Sequence, residues 1–156
     1  MSKLPIAPEG WQPTILVDTR EQDPLAFSFP SEIGTLSTGD YSVKGLEEDF
    51  SVERKSLSDL YGSLTSGRDR FRRELQRLLA YPFRRLLVIG SEAEIAAGSS
   101  RAKGVNPKAV IHSLYAIEAR GVPVVFSPSP VTAALLVERW AYWRAREVFK
   151  TADALV

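Results

Sequence analysis

The spacing of apolar residues changes partway along the chain. Up to about residue 55 they form short runs and alternations; beyond it they recur every three to four residues. Thr14-Ile15-Leu16-Val17-Asp18 is a run with β-branched residues and predicts a first, central strand. Pro24 and Pro30 bracket Leu25–Phe29, which reads as a second short strand. Gly34–Leu36 and Tyr41–Val43 flank a turn at Ser37-Thr38-Gly39, and Phe50–Glu53 forms another strand after the acidic loop Glu47-Glu48-Asp49. The opening third is therefore expected to be a set of antiparallel strands.

After Lys55 the period is helical. Ser56 followed by Asp59 has the spacing of a capping box, and it opens a helix with Leu57, Leu60 and Leu64 on one side. Gly67 punctuates, and Phe71, Leu75, Leu78 and Leu79 mark a second helix. Arg84–Gly90 and Val122–Phe126 read as buried strands. Between them Pro107–Arg120 is a helix closed by Gly121. Ser129-Pro130 starts the last helix with a capping serine and a proline at its first position, and it runs to about Phe149. Strands first, then alternating helix and strand, predict an α/β domain with a mixed central sheet flanked by helices. With no repeat, low-complexity stretch or linker, one domain over residues 13–150 is expected, with short tails at 1–12 and 151–156.

The last helix has two apolar stripes. Val131, Leu135, Tyr142 and Phe149 form one, interrupted by Glu138; Leu136, Trp140 and Trp143 form another, roughly opposite. A helix with two apolar faces in a small domain suggests one face for the core and one for a partner. Tryptophans suit an interface anchor, so Leu136, Trp140 and Trp143 are expected at a contact with a second chain.

Composition narrows the chemistry. Cysteine is absent and His112 is the single histidine, so no thiolate or His-rich metal site can form. His112 itself, beside Ile111 and Leu114, reads as structural. A bound metal must be held by oxygen, which points to Mg²⁺ or Mn²⁺. No apolar run approaches the roughly 20 residues of a membrane span, and the N-terminus lacks the apolar core of a signal peptide, so an intracellular location is expected. The net charge is only +1, but between Arg54 and Arg85 nine cations face three acids, and arginine outnumbers lysine 14 to 6. Such a basic zone fits a polyanion such as DNA, or else a solvated helix face.

Four acids sit at the ends of expected strands: Asp18, Glu21, Asp40 and Glu53. Clustered carboxylates are costly unless a cation neutralises them. Glu53 and Lys55, two apart on an extended segment, point to one face and Arg54 to the other. A carboxylate beside a lysine suits metal-assisted phosphodiester hydrolysis, though the same pair also occurs as a surface ion pair.

The longer text resembles a known family. Val17-Asp18-Thr19-Arg20-Glu21, then Gly39-Asp40-Tyr41, then Val52-Glu53-Arg54-Lys55-Ser56-Leu57-Ser58-Asp59 is similar to the signature of XPF-type structure-specific endonucleases: Gly-Asp, a variable gap, Glu-Arg-Lys, three residues and Asp. The likeness runs from about Thr14 to Ala141 and includes Ser66-Gly67-Arg68, LLVIG and GVPVVFSPSPVTAALL. It implies a restriction-endonuclease-like core and Mg²⁺- or Mn²⁺-dependent cleavage of branched, flapped or forked DNA, in repair or recombination. It also implies that Asp40 and Glu53 are metal ligands, that Asp18 and Glu21 complete or buttress the site, and that Lys55 positions water or stabilises the transition state. Arg54 is expected to make an orienting salt bridge, with Asp59 as a candidate partner; Asp59 can equally serve only the helix cap. A homodimer is implied, as is a helix–hairpin–helix DNA-binding module on a partner or further domain. Two other readings stay open: a less selective restriction-type or single-strand nuclease, and a non-catalytic DNA-binding subunit. The latter would not need Asp40, Glu53 and Lys55 together.

The arginine-rich helix allows one geometric step. Arg70, Arg73 and Arg77 form a stripe away from the apolar side, where solvent or the DNA backbone would meet them. Arg68 falls at the edge of the apolar side, so it is expected to face the acids and contact phosphate. Arg101 and Lys103 lie in the small, polar loop of residues 98–106, which reads as a DNA-contacting flap or an ordinary surface loop.

Overall fold

The computed structural model describes the backbone of residues 11–98 and 104–155, with side chains to residue 150; Arg101 and Lys103 lie outside the described residues. Six strands and five helices follow in the order β1 (Ile15–Asp18), β2 (Ser31–Gly34), β3 (Tyr41–Val43), β4 (Phe50–Ser56), α1 (Leu57–Leu64), α2 (Arg68–Leu78), β5 (Phe83–Ile89), α3 (Glu92–Ala96), α4 (Pro107–Ala119), β6 (Val124–Ser127) and α5 (Pro130–Leu155). The sheet order is β2-β1-β3-β4-β5-β6. Pairs β1·β3 and β3·β4 are antiparallel, while β1·β2, β4·β5 and β5·β6 are parallel. This is the expected mixed sheet with helices on both faces.

Each face has its own core. On one, Ile15, Val17, Tyr41, Val43, Phe50 and Val52 pack under Ala133, Ala134, Val137, Ala141 and Ala145 of α5. On the other, Leu86 and Val88 pack under Leu60, Tyr61, Phe71, Leu75, Leu78, Leu114 and Ile117 of α1, α2 and α4. Removing apolar surface from water is the main force on both sides.

Several expectations are corrected. Leu25–Phe29 is not a strand. Leu25, Phe27 and Phe29 reach the α5-side core from irregular chain, so their alternation records packing without ladder bonds. The strand follows at Ser31–Gly34 and runs parallel to β1, which the long connection over 19–30 permits. The opening strands are thus not all antiparallel. Helix α3 is an unanticipated element, capped by Ser91, whose Oγ accepts from the Glu94 N–H at 3.0 Å. The expected cap of α1 is present: Ser56 Oγ accepts from the Asp59 N–H at 3.1 Å.

Helix α5 also differs in detail. Its buried apolar positions are alanines and Val137, small side chains that let it lie close on the sheet, with Glu138 and Arg146 buried beside them. The two apolar stripes occupy its two shoulders. Leu136 and Trp140 are half-buried against the core, whereas Trp143, Val131 and Leu135 are exposed. Among the described residues no helix is long and apolar enough to cross a membrane.

Candidate active site

Strand register assembles the site. Val17 pairs with Tyr41, and Tyr41 with Val52. One residue further along, Asp18, Asp40 and Glu53 therefore lie side by side across β1, β3 and β4, on the face opposite α5. Backbone bonds fix the row: the Asp18 N–H donates to the Asp40 carbonyl at 2.9 Å and the Asp40 N–H to the Val52 carbonyl at 2.8 Å. Gly39 has φ of +81°, and a Cβ there would come within 2.2 Å of Ser51 Oγ. The Gly-Asp pair is thus a tight entry into β3 that delivers Asp40 against β4.

The cleft over this row is lined by Asp18, Arg20, Asp40, Glu53, Lys55, Asp59, Arg70, Glu74 and Arg77, with Glu21 and Arg54 at its rim. Lys55 Nζ lies 3.4 Å from Glu53 Oε1 and 3.8 Å from Glu74 Oε2. It also sits 5.2 Å from the centre of the Phe71 ring. Arg70 Nε is 3.3 Å from Glu74 Oε1.

Burial pushes the Asp40 carboxyl up to about 7: the Arg54 amide and Lys55 pull it down, and the charges of Glu21 and Asp18 add to the rise. Burial also pushes Glu53 up to about 8, with the Asp40 charge adding and Lys55 opposing. Asp18 is different. Burial raises it, but the Arg20 side chain, the Leu36 and Arg20 amides and the Arg20 charge outweigh this and hold it below the usual value. Arg20 Nε donates to Asp18 Oδ2 at 2.7 Å and the Leu36 N–H to Asp18 Oδ1 at 2.9 Å.

These contacts revise the expected ligand set. Glu21 accepts from the Tyr41 hydroxyl at 2.5 Å and from Arg54 Nη1 at 3.3 Å, contacts that tie it to the other side of the sheet. Among the described residues no three acidic or histidine side chains converge on a single point, so Asp18, Glu21, Asp40 and Glu53 do not form one all-protein cage. Glu53 is buried and Asp40 half-buried, and little positive charge stands beside the two carboxylates. Two carboxylates suit Mg²⁺, which keeps several waters and shares its remaining positions with substrate phosphate. The residues present fit such an ion.

Two further expectations are corrected by geometry. Arg54 makes its ion pair with Glu21 and also donates to the Asp23 carbonyl at 2.6 Å; Asp59 is not its partner. Arg68 does not face the acids. It lines a separate groove between α2 and α4, while Arg70 and Arg77 line the acid cleft and Arg73 is exposed. Both shoulders of an amphipathic helix look alike on a helical wheel, and the acid row lies under the one carrying Arg70, Glu74 and Arg77. Sequence reasoning missed Glu74 and Arg20 as parts of the site. For Glu74 a signal existed: it sits one turn from Arg70 and from Arg77, between them on one shoulder.

Comparison with known proteins now decides the family. The ERCC4 domain model matches residues 17–139. This chain belongs to the ERCC4 domain family. The family match points to the structure-specific DNA endonucleases. The fold is also that of XPF from Aeropyrum pernix, with a TM-score of 0.69 at 24% identity over 85% of this chain. The match spans 61% of that chain's length. No curated protein matches. The matched residues include the whole acid row and end within α5.

Proposed function

We propose that this ERCC4 domain is a Mg²⁺- or Mn²⁺-dependent DNA endonuclease that hydrolyses a phosphodiester bond near a single/double-strand junction. The observation that carries this reading is the adjacent Asp40–Glu53 pair beside Lys55, at the floor of a cleft walled by Arg20, Arg70 and Arg77. Asp40 and Glu53 would hold the metal, and Asp18, locked by Arg20, would buttress them. When bound, the ion supplies Lewis acidity toward the phosphate and lowers the pKa of water. Lys55, kept in place by Glu53, Glu74 and the Phe71 ring, is positioned to orient water or meet charge developing on the phosphate. Arg54 braces the back of β4 through Glu21 and Tyr41. Arg70 and Arg77 are exposed beside the cleft, where a DNA backbone would meet them.

We further propose that the chain pairs as a homodimer along α5, where Trp143 is 50% exposed next to half-buried Leu136 and Trp140. Exposed tryptophan in such a strip suits an interface. A helix–hairpin–helix module on a partner or further domain would add grip on the duplex.

Labelled flap, fork, single-stranded and plain duplex DNA incubated with Mg²⁺, Mn²⁺ or EDTA test the reading, with Glu53→Ala alongside. Metal-dependent cleavage that is absent in Glu53→Ala is expected, strongest on flap or fork. Cleavage retained in the variant, or none by the parent chain on any substrate, overturns it.

A further inference from the structure

The groove between α2 and α4 has no part in the chemistry described above. Leu64, Leu75 and Ile117 form its apolar floor, and Arg68, Arg72 and Arg120 stand around it; no acidic side chain lines it. Arg68 and Arg72 are exposed, and among the described residues neither makes an ion pair. Arg120 has only a 3.4 Å hydrogen bond to Gln76. Three guanidinium groups beside an apolar trough are an unbalanced arrangement for a folded surface with nothing bound.

A polar depression links this groove to the acid cleft. It runs over Gly62, Ser66 and Gly67 at the corner between α1 and α2. At one end it shares Lys55, Asp59, Arg70 and Glu74 with the cleft, and at the other it shares Phe71 with the groove. A path of small side chains therefore leads from the carboxylates around the N-terminal end of α2 to Arg68.

We propose that the groove receives the single-stranded continuation of the DNA whose scissile phosphate lies in the acid cleft. The inference rests on the nuclease reading above. Single-stranded DNA offers what the groove lacks: base faces for the apolar floor and phosphates for the arginines. A duplex keeps its bases stacked inside and has nothing for that floor. An acidic peptide has similar chemistry, but continuity with the cleft favours the nucleic acid, because a strand held at Lys55 reaches the groove without leaving the surface. Phe71 then has two roles, as it underlies the groove and holds Lys55 against its ring. Strand engagement would thereby be felt at the lysine.

Fluorescence anisotropy in EDTA, at several salt concentrations, tests this with forked DNA carrying a single-stranded arm and with blunt duplex of equal length. The variants are the triple Arg68→Gln/Arg72→Gln/Arg120→Gln and, as a charge control on the same helix, Arg73→Gln. All four positions are exposed, and circular dichroism checks the fold. The triple variant is expected to weaken fork binding about tenfold or more. It should lower the salt slope by about 2 while leaving duplex binding within about twofold. Arg73→Gln should change little. Unchanged fork affinity overturns the proposal and leaves an acidic peptide as the groove's occupant; an equal loss on fork and duplex also overturns it. Cleavage by the parent chain with Mg²⁺, run in parallel, reports on the nuclease reading independently, since the binding assay contains no metal.

Discussion

The two faces of the sheet treat charge in opposite ways. On the α5 face Glu138, Arg144 and Arg54 are each held by hydrogen-bonding partners. Glu138 accepts from Ser28 Oγ at 2.9 Å and from the Phe29 N–H at 2.5 Å. Arg144 holds Asp49 through two contacts of 2.7 Å. Arg54 is shared between Glu21, the Tyr41 hydroxyl and the Asp23 carbonyl. On the α2 face Asp40 and Glu53 are crowded together, relieved mainly by the Arg54 amide at Asp40 and by Lys55 at Glu53, and burial raises both carboxyls. Strand β4 feeds both sides, Arg54 to the first and Glu53 with Lys55 to the second. The first face uses polar groups to fix the fold. The second leaves negative charge for something that has yet to arrive, which is how a site for a cation and a phosphate differs from a structural network.

The sharpest way to break this comparison is to neutralise the unbalanced face. Asp40→Asn and Lys55→Met should each lower metal-dependent DNA cleavage by on the order of 10²–10³-fold or more, measured as single-turnover rate. Metal-free Asp40→Asn should be at least as thermally stable as the parent at pH 8, because it removes a half-buried charge crowded against Glu53. Marked destabilisation would place Asp40 with the structural charges. The balanced face predicts the reverse. Glu138→Ala leaves the Phe29 N–H and Ser28 hydroxyl without their acceptor and should cost about 2–3 kcal/mol in urea unfolding. Its cleavage rate per folded molecule should stay near that of the parent.

The pH dependence sharpens the contrast. In the metal-free protein Asp40 and Glu53 titrate at about 7 and 8, above their ordinary values of 3.8 and 4.5. The folded state therefore keeps protons that the unfolded state has released. Their contribution to stability is full below about pH 4, falls as pH rises, and is gone above about pH 8. Thermal unfolding without divalent ions should show this decline, and it should flatten in an Asp40→Asn/Glu53→Gln double variant. Mg²⁺ should stabilise the parent more at pH 8 than at pH 6, since the ion competes with those protons. The smallest expected effect lies at the junction of site and scaffold. Ser56→Ala removes the cap of α1 and should cost about 1 kcal/mol, with cleavage reduced only slightly.

Much of this was legible in the chain. Period-two runs followed by 3.6-residue spacing announced the mixed sheet and its helices, because burying one side of an element imposes that repeat on any fold. Ser56 and Ser129 are short polar residues at helix starts, and both act as caps. The text from Asp18 to Asp59 named the acids and the lysine, and β4 placed Glu53 and Lys55 on one face by alternation alone. Local rules of this kind need no knowledge of distant partners. The structure alone decided which strands are neighbours, and hence that Asp18, Asp40 and Glu53 form a row while Glu21 turns to Tyr41 and Arg54. It also decided on which shoulder of α2 the acids lie, bringing in Arg70, Glu74 and Arg77 and sending Arg68 to the other groove. An amphipathic pattern says which way is inward; what stands to the left and right of a helix is settled only when the other elements pack against it.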